Sequence, residues 1–197
     1  MIEDFLRDNW IEIAGVFISL IYLYFSIKQK ILLWPFGILS ALFYIIIYFN
    51  AKFYADMGLQ VYYFFISIYG WISWSSANSS SSQDENRGVR NTSKKQWLIL
   101  TIVALAAWLI LFWILTRFTD SEIPGWDALT TAASIVATWM LAKKLIEHWL
   151  LWIIIDLISM ALYIYKGLFP TSALFAVYTI MAFVGYISWR KNLKISS

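Results

Sequence analysis

Seven stretches of the chain, near 10–27, 31–50, 55–75, 97–117, 128–146, 149–166 and 170–189, are each apolar for about 20 residues. A segment of that length crosses a hydrocarbon core roughly 30 Å thick as a helix, because only helices and closed barrels satisfy every backbone N–H and C=O without water. The predicted class is therefore an all-α integral membrane protein with seven transmembrane helices. Composition agrees: 61% of the 197 residues are hydrophobic and 14% charged, too little polar residue to coat a soluble globule of this size. The first stretch does not read as a cleavable signal. Glu3, Asp4 and Asp8 precede it where a basic region belongs, and no small-residue cleavage site follows.

With no cysteine, the chain has neither a disulfide nor a thiolate metal site, and its single histidine, His148, has no second imidazole beside it. No metal and no cofactor is expected. One set of helix ends carries Lys28, Lys30, Arg87, Arg90, Lys94, Lys95, Lys143, Lys144, Arg190, Lys191 and Lys194. The opposite ends hold Arg7, Lys52, Arg117 and Lys166 against Glu3, Asp4, Asp8, Asp56, Asp120, Glu122 and Asp127. Cytoplasmic loops collect basic residues, which puts the N-terminus outside and the C-terminus inside. Orientation explains the formal charge of +3 and calls for no nucleic-acid partner. The stretch from Ser75 to Lys95, with its SSANSSSSQDENRG, reads as a weakly ordered cytoplasmic linker.

Laid on itself without a gap at an offset of 115 residues, the chain matches Trp34 with Trp149, Lys28 with Lys143, Tyr48 with Tyr163, Tyr63 with Tyr178 and Gly70 with Gly185. GWISW (70–74) returns as GYISW (185–189). Spans one to three thus correspond to spans five to seven, and span four is the odd helix that keeps the second triple parallel to the first. The expected architecture is a 3+1+3 parallel repeat of three-helix bundles of the SWEET type, with substrate bound near the midplane where the repeats meet. Its expected parts are a first bundle at 1–75, a polar linker at 76–95, a connecting helix and loop at 96–127 and a second bundle at 128–197.

Asp156 stands among isoleucines and leucines, and an acid at that depth costs roughly 2.5–3.5 kcal/mol on insertion scales. It marks a functional site by default. Trp149, Trp152, Asp156 and Tyr163 share one helical face, whose equivalents on span two are Trp34, Gly37, Ala41 and Tyr48. One face is bulky and anionic where its mate is small, an arrangement that suits a flat cation between the indoles and the glycine side. Gln60, Tyr63, Ser134 and Thr138 supply polar wall groups, and Asp56 with Tyr54 sits at the outer mouth as a gate. Bland readings stand beside these. Trp34, Trp149 and Trp189 lie near helix ends, where interfacial belts collect tryptophan, and for them the belt reading is ahead. Trp152 is deeper, which favours a ligand. The span-five hydroxyls can bond their own backbone, Gln60 can bridge helices, and Asp156 can pair with Lys52 or Lys166.

With these residues named, the chain resembles the Pnu (PnuC/PnuT) family of bacterial vitamin transporters. The likeness rests on WPFGILSALFYIIIYFNAKFYADMGLQ with YGWISW, and on TTAASIVATW, EHWLLWIIID and LYIYKGLFPTSALF. It covers nearly all the chain apart from the serine linker and the tails. The resemblance implies the 3+1+3 fold, a homotrimer in the bacterial inner membrane, and facilitated diffusion of a vitamin that cytoplasmic phosphorylation then traps. In nicotinamide riboside carriers the position of Asp156 looks like an asparagine, which matches a carboxamide edge to edge, whereas a carboxylate only accepts. Thiamine offers an aminopyrimidine donor and a thiazolium cation, so it leads as the expected cargo, with nicotinamide riboside as the alternative. A sugar facilitator would favour neutral asparagines. An enzyme would show paired acids or a nucleophile with its base, which this chain does not, so it is not expected to be one.

Overall fold

The computed structural model describes residues 10–50, 54–79, 88–165, 167 and 169–193, with side chains for 14–49, 57–76, 88–165, 167, 169 and 171–193. Seven helices are described: α1 (Trp10–Ile27), α2 (Leu33–Asn50), α3 (Tyr54–Ser79), α4 (Lys94–Phe118), α5 (Pro124–Ala142), α6 (His148–Tyr165) and α7 (Phe169–Arg190). Among the described residues, Lys94–Phe118, His148–Tyr165 and Thr171–Arg190 are long and apolar enough to cross a membrane, and Ala14–Ile27 and Leu33–Phe49 are shorter apolar helices. Polar punctuation sets the ends. Ser93 caps α4 in a reciprocal box with Gln96, Pro124 opens α5 where its missing N–H costs nothing, and Gly167 takes the left-handed φ of +71° beyond α6.

The chain divides into two compact units, Met1–Gln83 and Asp84–Ser197. In the first, α1 packs on α2 and α2 on α3; in the second, α4 packs on α5, α5 on α6 and α6 on α7.

Each unit contains the same tight reversal. Gln29 and Lys144, 115 residues apart, both stand at φ +54°, a left-handed conformation in which a non-glycine side chain crowds its own carbonyl. The hydrogen bonds around them correspond: Lys30 N to Phe25 O at 2.9 Å and Leu145 N to Met140 O at 2.9 Å, then Trp34 N to Ile31 O at 3.1 Å and Trp149 N to Ile146 O at 3.2 Å. The tryptophan that opens the next helix is then driven against a glycine. A Cβ on Gly70 would come within 2.4 Å of the Trp34 ring, and one on Gly185 within 2.6 Å of Trp149. A second tryptophan meets each ring edge-on, Trp74 on Trp34 at 5.3 Å and Trp189 on Trp149 at 5.9 Å.

Of the polar stretch expected to be weakly ordered, residues 80–87 lie outside the described ones, and its two ends are structured. α3 continues to Ser79, and residues 89–92 are bound to the turn between α5 and α6. Arg90 N donates to Lys144 O at 3.1 Å, Ile146 N donates to Arg90 O at 3.0 Å, and Val89 pairs in parallel with Leu193. Thr92 gives both its N–H and its hydroxyl to the Glu147 carboxylate, at 2.9, 3.0 and 2.6 Å. Charge-assisted bonds of this kind contribute about 1.5–3 kcal/mol, enough to order a short segment that composition alone marks as linker.

Candidate substrate site

In the second unit one face of α6 carries Trp152, Asp156 and Ser159. Apolar neighbours make the helix; its buried side is set by the i, i+3, i+4 recurrence of Trp149, Ile153, Asp156 and Ser159. Asp156 is 4% exposed and Ser159 7%, while Trp152, one turn before the acid, is half-buried. Neither Asp156 nor Ser159 has a hydrogen bond or ion pair among the described residues. Lys52 and Lys166, the expected alternative partners, lie outside them. A buried carboxylate carries up to four acceptor positions and is costly without donors, so a donor or a cation at this face would relieve it. Ser159 escaped sequence reasoning, although its place three residues beyond Asp156 was there to be used.

On α5, which packs against α6, Ser134 and Thr138 are both buried. The Thr138 hydroxyl donates to Ser134 O at 2.8 Å, and that of Thr130 to Trp126 O and Asp127 O at 3.1 Å each. The hydroxyl protons of Thr138 and Thr130 are spent on their own helix, as the bland reading had it, and only the lone pairs of these two remain for a solute. Tyr163, at the far end of α6, stacks on Phe175 at 5.2 Å and 21°.

Trp149 is sealed at 1% exposure, wedged on Gly185 and flanked by His148 at 4.6 Å. Trp34 and Trp189 are 0% exposed. An interfacial belt needs contact with headgroups, so the belt reading fails for all three: their rings fill helix crossings. His148 is likewise enclosed, its Nδ1 2.7 Å from Leu145 O, and among the described residues no group of histidines and acids could hold a metal.

In the first unit Gly37 is not an open recess. A Cβ there would stand 2.9 Å from Ser67 Oγ and 3.1 Å from the Tyr22 ring, so those two side chains occupy the room that the glycine leaves. Gln60 and Tyr63 are half-buried on α3, with the Tyr62 and Tyr63 rings 5.9 Å apart. Tyr54 and Asp56, read as a gate, fall in the first turn of α3 and their side chains lie outside the described ones.

A family model, described as nicotinamide mononucleotide transporter, matches residues 9–191. The chain belongs to this transporter family. It is a transporter of a small molecule and not an enzyme. Among its relatives in the nicotinamide mononucleotide transporter family, the nicotinamide riboside transporter PnuC of Escherichia coli is 28% identical over 92% of this chain and 85% of its own length. The PnuC of Haemophilus influenzae is 23% identical over 95% and 82%. The riboflavin/roseoflavin transporter RibM of Streptomyces davaonensis is 22% identical over 91% and 84%. A crystal structure of the vitamin B3 transporter PnuC shares the fold, with a TM-score of 0.75 at 23% identity, covering 96% of this chain and 84% of that one.

Proposed function

We propose that the chain carries nicotinamide riboside across the bacterial inner membrane by facilitated diffusion, with the Trp152–Asp156 face of α6 as the wall that recognises it. The carrying observation is the buried Asp156 carboxylate, without a partner among the described residues, one helical turn from a half-buried indole. A flat pyridinium satisfies both, the ring by stacking and cation–π attraction of about 0.5–2 kcal/mol, the charge by the acid. Thiamine, which the donor argument at Asp156 put first, is also a flat cation, so the carboxylate does not separate the two. The relatives' names favour nicotinamide riboside.

The rest of the reading has its own support. The matched left-handed turns at Gln29 and Lys144, and the matched tryptophan–glycine wedges, support a 3+1+3 repeat with α4 as the odd helix. The basic residues at one set of ends support an N-terminus outside and a C-terminus inside. A homotrimer, and trapping by phosphorylation in the cytoplasm, follow from the resemblance alone.

Calorimetry on the detergent-purified protein tests the cargo, with nicotinamide riboside and thiamine titrated into the native chain and Asp156→Leu, which keeps the side-chain shape and removes both charge and acceptors. Nicotinamide riboside is expected to bind the native chain and to lose at least tenfold in affinity in the variant. Preferential binding of thiamine would overturn the cargo. Unchanged affinity in Asp156→Leu would overturn the site.

A further inference from the structure

Along its whole length α4 buries only Leu100 and Leu115, and it does not lie flush on its neighbours. Between α4, α5 and the start of α6 runs a cavity of about 310 Å³, open to the outside along one side, with Trp97, Thr101, Ala104, Trp108, Ala133 and Leu151 in its walls. The alanines give it width. We propose that this groove holds one acyl chain of an anionic membrane phospholipid, whose phosphate rests on Lys94 and Lys95.

The lining argues for hydrocarbon. Apart from the Thr101 hydroxyl its polar atoms belong to indoles, and the Trp108 N–H is already spent on Gly125 O at 3.1 Å. An ordered water needs two to four polar partners, which these walls do not offer. Length argues for a single chain. From Trp97 to Trp108 the helix rises roughly 16 Å, close to half of a hydrocarbon core about 30 Å thick, the reach of one acyl chain from headgroup to midplane.

Charge argues for an anionic headgroup. Lys94 precedes Trp97 by three residues and Thr101 by seven, so it stands on the same face of α4, over the groove's mouth. Lys94 and Lys95 are exposed, no acid shares the first turn, and neither lysine has a partner among the described residues. Basic residues beside a membrane-spanning helix attract anionic lipid, and a chain in the groove below would hold the phosphate in place. A second copy of the protein laid in the same groove would have to bury or avoid the two lysines. A phospholipid satisfies groove and lysines together.

Native mass spectrometry of the protein in detergent, titrated with palmitoyl-oleoyl phosphatidylglycerol or phosphatidylcholine, provides the test. The native chain is expected to retain one phosphatidylglycerol in preference to phosphatidylcholine by roughly tenfold, and Lys94→Gln with Lys95→Gln to lose that preference while keeping the same helical circular dichroism. Ala104→Leu with Ala133→Leu fills the groove and is expected to bring both lipids down to background. Equal retention of the two lipids by the native chain would overturn the headgroup assignment. Undiminished phosphatidylglycerol in the filled variant would overturn the groove. So would an oligomer that binds no lipid and falls apart when the groove is filled, because a second copy then occupies it.

Discussion

Trp149 lies so close to Gly185 that a Cβ there would stand 2.6 Å from the indole ring, and Trp34 meets Gly70 in the same way at 2.4 Å. Helix α6 crosses α7, and α2 crosses α3, at the distance a bare glycine backbone allows. Gly185→Ala or Gly70→Ala forces each rigid indole aside, an overpacking that costs about 1–3 kcal/mol. Thermal unfolding in detergent should show each variant melting lower than the native chain. An unchanged Tm in both would mean that the crossings relax freely.

The two wedges also show what was legible in the sequence. Trp34 with Trp149 and Gly70 with Gly185 coincide at the offset of 115, so their equivalence could be read directly. That each tryptophan faces its own glycine could not, because a side chain's neighbour depends on how two helices cross. Position near a helix end made these indoles look like belt residues, and burial contradicts it. Asp156 was legible because a charge in an apolar run carries its own cost. The ties of Thr92 were not: its partner Glu147 is 55 residues away, and a serine-rich composition reports nothing about tertiary hydrogen bonds.

Glu147 accepts from Thr92 N, at 2.9 and 3.0 Å, and from Thr92 Oγ1 at 2.6 Å. Replacing the carboxylate by an apolar group leaves a buried N–H and hydroxyl without an acceptor, at a cost of about 1–3 kcal/mol. Glu147→Leu should therefore release residues 89–92, and hydrogen exchange at Thr92, Arg90 and Ile146 should accelerate by one to two orders of magnitude. If only the Thr92 amide accelerates, the backbone pairing of Arg90 with Lys144 and Ile146 holds the segment without the acid.

Gln29 and Lys144 both stand at φ +54°, where a β-branched residue is a severe misfit and glycine is free. Gln29→Val and Lys144→Val should each lower stability by about 1–2 kcal/mol, whereas Gln29→Gly and Lys144→Gly should come within about 1 kcal/mol of the native chain. Melting temperatures of the four variants decide it. Equal losses for valine and glycine would show that side-chain contacts, not backbone conformation, matter at the turn.

Lys144 lies in the turn outside the helices, and partial burial holds its ammonium below the usual lysine range. The unfolded chain then binds more protons than the folded one as pH approaches the ordinary value of 10.5, so stability should rise with pH across that window. Lys144→Gln should flatten the rise. A slope identical in native and variant protein would assign it to other groups.

Thr138 and Ser134 share the buried side of α5 but differ in what they have left to give. Thr138 donates its hydroxyl proton to Ser134 O at 2.8 Å, whereas the Ser134 hydroxyl has no hydrogen bond among the described residues. A bond back to the fourth preceding carbonyl adds little to a helix, so Thr138→Val keeps the side-chain volume and removes only a committed proton. Its effect on cargo affinity should stay within about threefold. Ser134→Ala should cost one net hydrogen bond, about 1 kcal/mol or roughly fivefold, provided the α5 face lines the cargo. Calorimetric titration of both variants separates the cases. A larger loss in Thr138→Val than in Ser134→Ala would mean that cargo turns the Thr138 hydroxyl away from its own helix when it binds.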